Sequence, residues 1–418
     1  MPTPTLVRAV SRFARFSPLA LVGLAAAACS VSAGPDTGSS SQPVINGKNS
    51  DASQNAVVLI VHYDKSSRDG GIEECTGTML APNLVLTARH CVARTDEGAM
   101  CDTDGKPIGG AGRVYESFDP TNLYVFVGER RPDFGPKVKA DGVGAKIVDD
   151  GSKTLCNHDI ALIELAAPIE GAPIAKIRLD GPPAKGETIT SVGWGVTQLT
   201  SDPAVRQQRT GVAIIEVGAA NSRTNREAAP NEFVVGESIC SGDSGGPALA
   251  STTGAILGVV SRGGNGKQPT NDPSSTCIKS TNLYTQVLPW ADMIRSAYEE
   301  VGFEPWYENG PDPRLAKFGE ECSGPEACRS NLCLENAGKS TCTSDCTETP
   351  CPDGYVCSDK AEARVCVVPP PKPAVQTTTT TTTQGCTSAP KGSGVPGGLG
   401  LVAASALASL FVRRRRAR

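Results

Sequence analysis

The chain has 418 residues, and its formal charge of −4, from 40 basic and 44 acidic side chains, excludes a strongly basic nucleic-acid binder. This length exceeds one typical domain, so two or more units are expected. With 45 Gly and 32 Pro but only 5% aromatic residues, many turns and short strands are favoured over long helices. At the start, Arg8, Arg12 and Arg15 precede an apolar run from Leu19 to Ala28 that ends in small residues. Residues 1–28 therefore read as a signal peptide, too short to remain as a spanning helix. Ala26-Ala27-Ala28-Cys29 is compatible with acylation of Cys29, and Val31-Ser32-Ala33 offers an ordinary export site instead. Residues 29–43 are polar and read as a propeptide or linker.

From residue 44, strand-length runs rich in Val, Ile and Leu recur between turn residues, at 56–61, 84–86, 123–127, 160–165, 189–192, 212–217 and 255–260. This pattern predicts an all-β barrel or sandwich. Near its end, Pro289 can occupy the first turn of a helix whose apolar face carries Trp290, Met293, Ile294 and Ala297. The domain is expected to span 44–303, followed by a linker over 304–317. Eight of the sixteen cysteines then crowd into residues 318–368. So short a segment cannot bury much apolar surface, so a disulfide framework in an exported protein is expected. Zinc is the alternative, but the segment lacks paired C-x2-C knuckles and all three histidines lie far upstream. Residues 369–385 read as an extended Pro/Thr-rich stalk. Residues 386–418 hold an apolar stretch, Gly394 to Val412, just long enough to cross a bilayer and followed by four arginines.

The chemical signal lies in Cys240-Ser241-Gly242-Asp243-Ser244-Gly245-Gly246-Pro247. A serine between Asp and paired glycines exposes one hydroxyl beside backbone amides, as an acyl-transfer nucleophile and its oxyanion hole require. That hydroxyl is too weak an acid to attack an amide unaided, and imidazole has the pKa to take its proton. Of the histidines, His62 lies in a strand-like run and reads as a packed surface residue, and His158 as a neighbour of Asp159. His90 stands in Leu86-Thr87-Ala88-Arg89-His90-Cys91, and a third segment, His158-Asp159-Ile160-Ala161-Leu162, supplies a carboxylate.

In this order and these settings, His90, Asp159 and Ser244 resemble the catalytic residues of the chymotrypsin-like (trypsin-fold) serine endopeptidases, over about residues 44–301. The resemblance implies an all-β fold of two barrels with a C-terminal helix, here extended by a disulfide-rich module and a terminal hydrophobic helix. It implies that Asp159 orients His90, that His90 deprotonates Ser244, and that the Gly242 and Ser244 amides form the oxyanion hole. It also implies the disulfides Cys75–Cys91 and Cys240–Cys277, and the leftover Cys101 and Cys156 are expected to pair with each other. Gly193-Trp194-Gly195 is a further landmark of the family. Val44-Ile45-Asn46-Gly47 resembles the N-terminus freed on zymogen activation, whose amine would pair with Asp243; the simpler alternative is that Val44 begins the first strand. Pro43 precedes it, so an activating protease other than a trypsin-like self-cut is expected.

Ser238, six residues before Ser244, replaces the Asp that selects basic side chains in trypsin-type members. With Ser261, Gly263 and Asn282 as the other substrate-binding residues, cleavage after uncharged residues is expected, small or large. Glu237 is next door, and a register shift of one would reverse that inference. Arg262 stands where the family has tryptophan, and Arg89 where a small residue is common; both suggest a taste for acidic side chains nearby. Gly385-Cys386 with the apolar stretch and arginines resembles the Myxo-type C-terminal sorting signal of Gram-negative bacteria. The expected partners are thus protein or peptide substrates, an activating protease and outer-membrane or cell-surface sorting machinery, with no cofactor, metal or nucleic acid. A surface binding protein whose protease domain stays an inactive zymogen is the alternative function, and the intact His90, Asp159 and Ser244 argue against it.

Overall fold

Alternating side chains let one strand serve two cores at once, and the first long strand, β1 (Val57–Tyr63), does so. Val58 and Ile60 point into a barrel, while Leu59 and Val61 join an outer cluster with Phe126 and Trp194. The computed structural model describes residues 43–370 except 64–70, 97, 136, 221–226, 337 and 361–362. The expected signal peptide, Cys29 and the expected sorting tail with its hydrophobic helix lie outside the described residues, as does all but the start of the expected stalk. Among the described residues, no helix is long and apolar enough to cross a membrane.

The first barrel adds β2 (Ile72–Ala81), β3 (Leu84–Thr87), β4 (Leu123–Phe126), β5 (Gly142–Val148) and β6 (Ala161–Leu165), and closes in the order β1-β2-β3-β6-β5-β4. A second barrel is built from β7 (Thr188–Gly193), β8 (Gln207–Val217), β9 (Glu232–Val235), β10 (Pro247–Ala250), β11 (Ile256–Gly264) and β12 (Thr281–Gln286). Its order is β8-β7-β10-β11-β12-β9, with β9 pairing back onto β8. Two six-stranded antiparallel barrels are thus present, each around its own apolar core. A third core, from Leu84, Leu86, Leu162, Leu249 and Val259, cements the barrels together and receives the helix α1 (Ala291–Val301). Each such side chain contributes about 1.5–3 kcal/mol on full burial. The helix buries Ala291, Ile294, Ala297 and Tyr298 and ends at Gly302, whose φ of 78° suits only glycine well. Pro289 sits in a preceding 3₁₀ turn, Leu288–Trp290, so the α-helix starts later than the sequence suggested.

The loop between β3 and β4 folds on itself, with residues 93–95 pairing with 114–117 over a small core that includes Cys101, Leu155 and Cys156. The segment after α1 is bound in place as well. Ile177 N donates to Trp306 O at 2.9 Å, and Glu308 accepts from Arg178 Nε at 2.5 Å and Nη2 at 2.7 Å. The eight downstream cysteines form Cys322–Cys333, Cys328–Cys342, Cys346–Cys357 and Cys351–Cys366. Each half thus carries a hairpin with first-to-third and second-to-fourth linkages. In one, Cys333 faces Cys342 across the strands β13 (Cys333–Asn336) and β14 (Lys339–Cys342). In the other, Cys357 faces Cys366 across β15 (Val356–Lys360) and β16 (Ala363–Val367).

Candidate active site

The loop ahead of β10 is shaped by what lies behind it. Gly242 has a φ of 94°, and Gly245 a φ of 76° with Thr76 O only 2.5 Å from where a Cβ would sit. Side chains are excluded at both positions, and the loop turns Ser244 outward. Thr76 of β2 fastens the loop: its amide donates to Ser244 O at 2.8 Å and its hydroxyl to Gly242 O at 2.9 Å. Among the described residues, neither the Gly242 nor the Ser244 amide donates to another backbone carbonyl.

His90 lies on a 3₁₀ turn, Arg89–Cys91, just after β3, and Asp159 lies just before β6. These strands are antiparallel neighbours, paired Leu86 to Leu162 and Thr87 to Ala161, so residues distant in sequence meet at the ladder's end. His90 Nδ1 is 2.8 Å from Asp159 Oδ2, and the His90 amide donates to Asp159 Oδ1 at 3.0 Å. Ser261 Oγ donates to the same Oδ2 at 2.7 Å. Burial lowers the imidazole's affinity for a proton, but the charge and hydrogen bond of Asp159 outweigh it, and the His90 pKa is raised. Asp159 is only 1% exposed; burial raises its pKa, yet His90 and Ser261 pull harder, and the net shift is downward. His90 and Ser244 line one cleft of about 530 Å³ together with Cys75 and Cys91. Those cysteines are joined, closing 16 residues around His90, a constraint of about 3 kcal/mol in the chain-entropy account.

The family model described as Trypsin matches residues 44–288, more than half of the chain. The chain belongs to the trypsin family. It is a serine-type endopeptidase acting on protein or peptide substrates. Among similar proteins, the trypsin of Phaedon cochleariae is 26% identical over 238 residues, 54% of this chain and 79% of that one. Beta-fibrinogenase mucrofibrase-4 of Protobothrops mucrosquamatus is 27% identical over 268 residues, covering 61% and 87%. The protein C activator of Agkistrodon contortrix contortrix is 29% identical over 231 residues, covering 53% and 84%.

In this trypsin-family chain a second cavity, of about 140 Å³, opens on the other side of Ser244, lined by Ser261, Gly263, Asn282 and the joined Cys240 and Cys277. Ser238 is fully buried and does not line it. Asn282 Nδ2 donates to Gly236 O at 2.9 Å and lies 3.4 Å from Ser238 Oγ, so the amide caps the serine. Glu237 turns elsewhere: its carboxylate accepts from Lys279 N, Asn46 Nδ2 and Arg209 Nη1. Arg209 in turn donates to Ile45 O at 2.8 Å, so Glu237 belongs to the Val44–Gly47 segment and not to the cavity. Asp243 is 1% exposed and accepts from Cys240 N and Gly195 N, both at 2.8 Å. Burial pushes its pKa up to about 7 against the pull of those amides. Cys101 and Cys156 are bonded to each other, tying the long loop to the Asp159 segment.

The two arginines are not free to receive acidic substrate side chains. Arg262 makes a buried two-pronged pair with Glu232, at 2.6 and 2.7 Å, and Arg89 is buried against Asp149. Sequence reasoning missed Thr76, Glu232 and Asp149. An arginine in an apolar family position signals a buried carboxylate partner, but not which one. His62 is stacked on Phe118 with ring centroids 3.7 Å apart, and His158 Nδ1 is 2.5 Å from Asp150 Oδ2, so only His90 of the three meets Asp159.

Proposed function

We propose that this endopeptidase works through Ser244 as nucleophile, His90 as general base and Asp159 as the group that orients His90. The observation that carries the reading is the clamp of Asp159 on both Nδ1 and the amide of His90, with Ser244 in the same cleft. With Nδ1–H donated to Asp159, Nε2 is the ring nitrogen left to accept the Ser244 proton. As Ser244 Oγ bonds to the carbonyl carbon, that proton passes to Nε2, and the Gly242 and Ser244 amides receive the developing oxyanion. Nε2–H then protonates the leaving amine, and water repeats the sequence to release the acyl group. The test is labelling of the processed protein by a fluorophosphonate probe, with Ser244→Ala as control. A processed, folded parent that takes no probe would favour the binding-protein alternative.

Because the His90 pKa is raised, the acid limb of kcat/KM is expected above the ordinary histidine value of 6.5. Activity rises with pH as the imidazole loses its proton, and a limb below 6.5 in a pH–rate profile would contradict the assignment.

The Asn282 cap over Ser238, with no carboxylate lining the cavity among the described residues, supports cleavage after uncharged residues. Uncharged residues are expected over Lys and Arg at the cleaved position. Ser238→Asp alone should not create cleavage after Lys or Arg, because the new carboxylate would lie beneath Asn282, whereas Ser238→Asp combined with Asn282→Gly should. A peptide-library cleavage profile of the three proteins reads this directly; basic specificity from Ser238→Asp alone would refute the cap.

Seven disulfides among the described residues support folding outside a reducing compartment, and with the N-terminal segment they support export. Attachment at the cell surface through the cysteine module, stalk and sorting tail, and activation by a cut before Val44, complete the proposal. Residues 1–28, 29–43, 44–303, 304–317, 318–368, 369–385 and 386–418 are its units.

A further inference from the structure

Two adjacent carboxylates outside the cleft each hold the residue that precedes one of the pair His90 and Asp159. They follow directly on β5. Asp149 Oδ2 lies 3.4 Å from Arg89 Nη2, with the two side chains 14% and 5% exposed, and the same nitrogen donates to Ser117 Oγ at 3.0 Å. Asp150 Oδ2 lies 2.5 Å from His158 Nδ1 and accepts from Trp290 Nε1 at 3.3 Å. The loop's own backbone fixes both carboxylates: Gly151 N donates to Asp149 Oδ1 at 2.7 Å and Ser152 N to Asp150 Oδ1 at 3.0 Å. A guanidinium as buried as Arg89 needs an anion, and Asp149 is the carboxylate at ion-pair distance from it, while Nε and Nη1 have no hydrogen-bond partner among the described residues.

The β3–β6 ladder ends at Thr87 and Ala161. Beyond it, among the described residues, no strand pairing joins the turn bearing His90 to the segment bearing Asp159, which meet through the two His90–Asp159 hydrogen bonds. From the pairings of Arg89 and His158 we infer that Asp149 and Asp150 form a clasp that sets the distance between turn and segment, which makes Arg89, Asp149, Asp150 and His158 positioning residues for the reaction. The inference rests on the reading of His90 as base and Asp159 as its orienting group. A displacement near 1 Å at such a pair is enough to cost about a hundredfold in rate.

The test uses the full chain cut before Val44, with rates expressed per site titrated by a fluorophosphonate probe. Asp149→Asn and Asp150→Asn should each lower kcat about 10- to 100-fold with KM unchanged. Because Asp149→Asn strands a buried cation, the double variant Arg89→Met/Asp149→Asn is the decisive protein. Removing both charges should restore the melting temperature, while kcat stays at the level of the single variant. Recovery of kcat in step with the melting temperature, or parent-level kcat in the single variants, overturns the clasp. A parent that takes no probe at Ser244 overturns the clasp and the catalytic reading together, whereas a labelling parent with unaffected variants overturns the clasp alone.

Discussion

Replacing Ser244 by Ala is expected to lower kcat about 10⁶-fold while substrate binding survives. The change removes one oxygen that lies in a solvent-open cleft, and the loop around it is held by backbone contacts that Ala preserves, among them Thr76 N to Ser244 O. The fold and the cavity beside Asn282 should therefore persist. His90→Ala should cost about as much, and the double variant no more than either alone, because an alcohol without its base and a base without its alcohol are equally idle. What remains is the part that needs neither side chain, namely binding and the amides of Gly242 and Ser244, worth about 10³- to 10⁴-fold over water. Single-turnover rates on an Ala-containing peptide, with binding measured separately, decide the matter. Losses that multiply in the double variant would mean that Ser244 and His90 act in different steps.

The spacing of motifs made much of this site legible, because His90, Asp159 and Ser244 sit in local segments that each carry their own signature. The fold was legible where strands are mostly apolar, as in β3, whose four residues are all buried. It was obscured where polar residues are buried. In β12, Asn282, Thr285 and Gln286 are buried, with Asn282 bonded to Gly236 O and Gln286 to Glu232 O, so no apolar periodicity marks the strand. In β2, the polar run around Thr76 hides a strand for the same reason, and Thr76 is the residue that fastens the Ser244 loop. The partners of Arg89 and Arg262 were beyond reach on different grounds. A buried arginine announces that a carboxylate must meet it, but only the folded chain selects Asp149 and Glu232 from 44 acidic residues.

The second large effect concerns Asp243, and it follows from a charge with no cation beside it among the described residues. In the uncut chain, among the described residues, the carboxylate is held by two backbone amides, and burial pushes its pKa up to about 7 from an ordinary 3.8. Val44 is fully buried with a φ of 43°, a strained value for a β-branched residue. Ile45 packs against Cys240, whose amide binds Asp243. A cut before Val44 would remove the torsion that carries the strain and free an amine in the same region. Pairing that amine with the carboxylate, or losing the pair, is worth about 3–5 kcal/mol. The cut protein should therefore exceed the intact chain in kcat/KM by about 10²- to 10⁴-fold, and Asp243→Asn should forfeit most of that gain.

Stability carries a second signature of opposite sense. A carboxylate whose folded pKa is raised stabilises the fold relative to neutral pH only while it is protonated in both states. The contribution of Asp243 in the intact chain is thus fully present below about pH 4 and lost progressively up to about pH 7, some 4 kcal/mol in all. His90, whose folded pKa is also raised, loses its contribution as pH rises through that value, so Asp243→Asn is the control that isolates the carboxylate. Urea unfolding of the intact chain at pH 5 and pH 8 should show greater stability at pH 5, and the cut protein should lose the Asp243 part of that difference. If intact Asp243→Asn kept the full pH dependence, the buried carboxylate would not be its source, and the proposed coupling between Val44 and Asp243 would lose its physical basis.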